Sequence, residues 1–76
     1  MPLLFAQIGE EVQIVNIAGS SEIKHHLEEI GFNEGELTTV IQKIATGVIV
    51  KAKNGRIALD RTMASKIRIR PLVKSN

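Results

Sequence analysis

The sequence predicts a mainly β fold: a small five-stranded antiparallel barrel with one α-helix inserted after the first strand. Three observations predict it. Short segments rich in Val, Ile and Thr recur along the chain, turn-forming residues separate them, and only the stretch around Leu27 shows helical rather than alternating apolar spacing. Length then limits the architecture, because 76 residues suffice for one core and not for two. Residues 1–76 are read as a single domain.

Gly9 and Glu10 punctuate the start, and residues 11–17 are rich in β-branched side chains that pack well on a pleated surface, which makes them the first strand. Ala18, Gly19 and Ser20 break it. Ser20 or Ser21 can accept a hydrogen bond from a free N–H at a helix start, and Glu22 suits the positive end of the helix dipole. Within the helix expected over 20–31, Ile23, Leu27 and Ile30 fall at i, i+4 and i+7, so one face lies on the barrel. Gly31 is placed for the left-handed residue just past the helix end, with Phe32 packing back on Leu27.

After a turn at Asn33, Glu34 and Gly35, residues 37–44 read as the second strand, and Thr46 with Gly47 closes a hairpin. The third strand, 48–53, alternates: Val48, Val50 and Ala52 face inward while Lys51 and Lys53 reach solvent. Asn54 and Gly55 both tolerate positive φ and fit a two-residue type I′ turn. Residues 56–59 return as the fourth strand, Asp60 caps one helical turn through Thr62, Met63 and Ala64, and residues 66–70 form the fifth until Pro71 ends the pairing. Residues 74–76 read as a loose tail.

Composition narrows the function classes. With no Cys there is no disulfide, thiolate ligand or cysteine nucleophile, and a reducing compartment suits the chain. The apolar start is short and lacks a basic flank, unlike a signal peptide, and no segment is long enough to span a bilayer, so a cytoplasmic location is expected. The net charge of +2 hides a division: residues 1–40 carry seven glutamates against Lys24, a balance of −6, and residues 41–76 carry nine cations against Asp60, a balance of +8. Such a split marks either a surface for an acidic partner or nucleic acid, or two halves that pair across the barrel.

No P-loop and no assembled Ser-His-acid order is present, so no catalytic residue and no cofactor are assigned. Glu28 and Glu29 sit in the last helical turn, where acids oppose the dipole, and are expected to face a basic group on this domain or its partner. His25 and His26 are neighbours and point about 100° apart on a helix, so they do not share one ion. His26 lies beside Ile23 and Ile30, and His25 lies between Glu22 and Glu29, where a solvated charge pair is expected; no metal site is assigned, His25 with Glu29 being only a weak candidate pair. Lys51, Lys53, Arg56, Lys66, Arg68 and Arg70 could line one side of the barrel and hold phosphates. The stacking platform of a single-strand binder is missing, because Phe5 and Phe32, the only aromatics, read as core or cap residues. The same lack argues against a groove for proline-rich peptides.

Leu27, Ile30, Gly31, Phe32 and Gly35, then Asn54-Gly55 ahead of Ile57, Ala58 and Leu59, then Ala64 ahead of Ile67, Arg68 and Ile69, follow one another in an order that resembles the FeoA family over residues 3–72. The resemblance implies an SH3-like barrel with a helical insertion. It also implies a cytoplasmic accessory protein of bacterial ferrous iron uptake that binds FeoB, a membrane transporter with a cytoplasmic GTPase portion. Some members are instead domains of iron-dependent repressors, which gives a regulatory or nucleic-acid-binding small barrel as the alternative. His25, His26 and Asp60 stand where many relatives have arginine, and residues 44–47 form a shorter loop than in many of them. Expected partner contacts are the exposed side of the helix with the turn that follows, through Lys24, Glu28, Phe32, Asn33 and Glu34, and the basic strands at Lys51 and Arg68.

Overall fold

The computed structural model describes residues 1–52 and 55–72. Five strands alternate with three short helical segments: a 3-10 turn η1 (Leu3–Phe5), β1 (Glu11–Ile17), α1 (Ser21–Glu29), β2 (Leu37–Ile44), β3 (Gly47–Ala52), β4 (Gly55–Asp60), α2 (Arg61–Lys66) and β5 (Ile67–Pro71). All pairings are antiparallel, and the strand order is β4-β3-β2-β1-β5. The sheet curls around one core that holds Val12, Ile14, Val40, Val50, Ile67 and Ile69 from its inner face and Leu27 and Phe32 from above.

Burial along β1 departs from strict alternation, because Val12, Ile14 and Ile17 are buried while Val15 and Asn16 are exposed. The register against β5 shifts between Ile14 and Asn16, and the extra residue returns Ile17 to the inner face. A second shift, between Val40 and Gln42, bends β2 where it passes from β1 to β3. Two such shifts turn a five-stranded sheet into a barrel wall.

Helix α1 forms as its ends specify. The Ser20 hydroxyl accepts from the Ile23 N–H at 3.3 Å, which settles Ser20 over Ser21 as the cap. At the other end Gly31 adopts φ +103°, its N–H donates to the Glu28 carbonyl at 3.1 Å, and the Phe32 N–H donates to the Leu27 carbonyl at 2.9 Å. Those two bonds are the Schellman pair, and they drive the Phe32 ring into the core. Leu27 is fully buried, and Ile23 and Ile30 pack at the margin of the same cluster.

The β2–β3 turn differs from expectation. Ile44 pairs with Gly47, so Ala45 and Thr46 are the turn residues and Gly47 is the first residue of β3. Neither turn residue has positive φ. Gly47 serves close approach instead: a Cβ there would collide with the Leu59 carbonyl oxygen and lie 2.8 Å from the Asp60 Cα. At the β3–β4 turn, Ala52 pairs with Gly55, which is therefore the first residue of β4 and not the second of the turn. The expected Asn54-Gly55 turn and the outward Lys53 fall partly on Lys53 and Asn54, which lie outside the described residues.

The barrel closes without a fifth ladder. No pairing joins β4 to β5 among the described residues; α2 spans that seam and packs on η1, β3, β4 and β5. Asp60 caps α2 as expected, its Oδ1 accepting from the Met63 N–H at 2.7 Å, and Ala64 is fully buried. Lys66 ends this helix rather than opening β5. The N-terminal segment fills the rest of the seam. The Ile69 N–H donates to the Met1 carbonyl at 2.7 Å, Pro2 bridges Arg68, and Leu3 and Ala6 are fully buried. Phe5 corrects the core or cap reading: it is 64% exposed, because the 3-10 turn that buries Leu3 points the next-but-one side chain outward.

Candidate partner-binding surface

The α1–β2 turn is clamped onto β1 from below. The Ile14 N–H donates to the Glu36 carbonyl and the Gly35 N–H to the Ile14 carbonyl, each at 2.8 Å. Gln13 adds side-chain bonds on the same side, donating through Nε2 to the Gly35 carbonyl at 3.0 Å and accepting at Oε1 from Arg70 Nε at 2.8 Å. From the helix side, Lys24 Nζ lies 3.8 Å from Glu34 Oε1, and Asn33 Nδ2 donates to Glu36 Oε1 at 3.4 Å. The turn is thus a fixed rim and not a free loop.

Thr38 performs the matching task for β3. It is the one polar side chain in the core among the described residues, 4% exposed, and its Oγ1 donates to the Lys51 carbonyl at 3.0 Å. The β2–β3 register stops at Val40 against Val50, so this bond holds the end of β3 where the ladder has run out. Between the two fixed edges lies a groove of about 260 Å³, lined by Glu11, Phe32, Glu36, Leu37, Thr39 and Lys51 among others. Leu37 is 50% exposed at its rim, opposite Gln13 in the β1–β2 register.

Of the residues that the sequence nominates, the groove brings together Phe32 and Lys51. Phe32 corrects its own nomination as a contact: only 2% of it is exposed, so it forms the floor and cannot be grasped by a partner. Lys24, Asn33 and Glu34 brace the rim from the helix side. Glu28 is exposed and has no basic partner among the described residues, whereas Glu29 takes His25, with Nε2 2.9 Å from Oε1. The candidate metal pair therefore meets, but no group of three His, Asp or Glu able to hold an ion exists among the described residues. Arg68 is apart from the groove, on the outer face of β5, where it opposes Asn16.

Among the described residues, no ion pair joins Lys51, Arg56, Arg61 or Arg68 to the acidic half. The Lys24–Glu34 ion pair and the His25–Glu29 contact both fall inside residues 1–40. Lys51, Arg56, Arg61 and Arg68 are exposed with no carboxylate partner among the described residues. Lys51 and Arg56 lie on β3 and β4 and Arg68 and Arg70 on β5, with the seam that α2 spans between the two sets. Leu37 and Thr38 are not separable from other strand residues by sequence, whereas Arg56 is already among the nominated cations and the inward set Val48 and Val50 implies that Lys51 faces out.

Comparison with known proteins identifies the lineage. The FeoA domain model matches residues 1–71. The chain belongs to the FeoA family. It is 35% identical over 68 residues to a Methanocaldococcus jannaschii protein named "Putative Fe(2+) transport protein A", covering 90% of this chain and 83% of that one. Among solved structures, the Clostridium thermocellum iron(II) transport protein A superposes with TM-score 0.86 at 26% identity, over 95% of this chain and 46% of the other. A crystal structure of an iron uptake regulatory protein, FeoA, gives TM-score 0.85 at 25% identity, over 95% and 97%. The fold is that of the Stenotrophomonas maltophilia FeoA, described as an SH3 domain protein and solved with zinc, at TM-score 0.77 and 21% identity over 92% and 89%. FeoA membership ties the chain to ferrous iron transport. No helix among its described residues is long and apolar enough to cross a membrane.

Proposed function

We propose that this FeoA-family chain is a cytoplasmic accessory module of ferrous iron uptake, without catalysis of its own, that docks on an FeoB-type transporter at its cytoplasmic GTPase portion or loops. The observation that carries the reading is the groove beside Leu37: a half-exposed leucine on a floor of Phe32, held between a braced turn and the end of β3. An apolar side chain kept at a rigid, concave, charged-rimmed position fits recognition of a protein segment. Docking changes the transporter by favouring one of its states over another, in proportion to the module's differential affinity for them.

Capture of a detergent-solubilised FeoB-type transporter on immobilised domain tests this. Wild type is expected to retain the transporter. Leu37→Glu, which places a charge on an already exposed position and so spares the fold, is expected to lose most of it. Equal retention by both proteins, or none by either, overturns the reading.

A further inference from the structure

We propose that Lys51 and Arg56 anchor a carboxylate on an extended partner segment whose apolar side chain occupies the groove beside Leu37. This deepens the docking reading above and rests on it. Lys51 and Arg56 are directly opposite each other in the β3–β4 register, both exposed, and neither has a carboxylate partner among the described residues. Like charges facing across a ladder repel and destabilise the sheet. Solubility does not require that arrangement, since any separated placement of two cations would serve.

Protection of an exposed sheet edge accounts for only half of it. Arg56 lies on β4, which ends the strand order, and a charge there discourages strand addition. Lys51 lies on β3, an interior strand, where no edge needs guarding. Lys51 instead lines the groove, and the Thr38 hydroxyl fixes its backbone there. Opposite it across the same groove stands Glu11, paired in register with Thr39. Strands are about 4.8 Å apart, so the cations begin two strands, roughly 10 Å, from Glu11. Glu11 and Glu36 line the groove from β1 and the turn before β2 and Lys51 lines it from β3, so a segment entering it finds its carboxylate repelled from the first two and drawn to Lys51 and the neighbouring Arg56.

The test uses two synthetic hexapeptides with leucines at alternate positions, one with glutamates and one with glutamines between them. Each is titrated into the wild-type chain and into the Lys51→Gln/Arg56→Gln variant while backbone amide shifts are followed. The glutamate peptide is expected to move the amides of Thr39, Lys51 and Arg56 and to bind wild type about tenfold more tightly than the variant. The glutamine peptide is expected to bind both proteins alike. The variant should melt no lower than wild type, because a repulsive pair has been removed. Equal binding of the two peptides by wild type, shifts centred on Arg68, or no shift at millimolar peptide overturns the anchor. So does generic duplex DNA moving the same amides more than the glutamate peptide does, which would make the site one for phosphates. Transporter capture separates the two proposals: if the double variant is retained as well as wild type while Leu37→Glu is lost, the anchor fails and the docking reading stands.

Discussion

Leu27 shows how much a single position decides. Its side chain is fully buried under α1, its carbonyl receives the Phe32 N–H, and both contacts follow from the i, i+4, i+7 spacing and the glycine after the helix. Leu27→Ala is expected to cost about 2–5 kcal/mol through the cavity it leaves. In a domain this small that is most of the net stability, so a urea melt should show a collapse of the midpoint. Unchanged melting would mean that α1 contributes no packing. Other single residues were illegible. Phe5 reads as a core or cap residue, yet its exposure is set by a 3-10 turn beside Met1, which pairs with Ile69, 68 positions away. Thr38 looked like any strand threonine; only the end of a ladder gives its hydroxyl a task.

At the scale of elements, β1 and β2 have the bounds that periodicity predicts and α1 falls inside the expected 20–31, ending at Glu29, because their signals are local: a β-branched run, a serine cap, a glycine stop. The hairpins were harder. Glycine in a turn-like context predicts a turn residue at both Gly47 and Gly55, and the registers place each at the start of a strand. Gly47 is there for clearance, which no turn rule encodes. Gly47→Ala is expected to destabilise by at least about 1–3 kcal/mol, since the new methyl meets backbone and not a yielding side chain. An alanine variant as stable as wild type in thermal unfolding would refute the β3–β4 approach described above. The candidate surface was partly legible for the same reason: Lys51 faces out by alternation, whereas the neighbourhood of Lys51, Phe32 and Leu37 is a tertiary fact.

For the whole molecule, composition showed a division of charge but not its use, and the fold keeps both halves outward without ion pairs joining Lys51, Arg56 or Arg68 to the acidic half among the described residues. The stretch 1–6 likewise offered no alternation to read, although Leu3 and Ala6 complete the core by lying beside α2 and β5. That arrangement makes six residues of α2 the fastening of the barrel. Ala64→Glu would place an unpaired carboxylate in a fully buried position, where it is not tolerated, whereas Ser65→Glu next to it stays in solvent. Sedimentation velocity should find Ser65→Glu the same size as wild type and Ala64→Glu in larger species. An Ala64→Glu sample of wild-type size and melting would refute the role given to α2.

A wall joined by hydrogen bonds all the way round fails by melting as a unit, but one fastened by a short helix fails first along a line. Once that fastening lifts, the uncovered backbone of β4 becomes a template on which the next molecule can add, and association then competes with refolding. The cell would experience a weakened α2 less as lost docking than as a protein that sticks to itself.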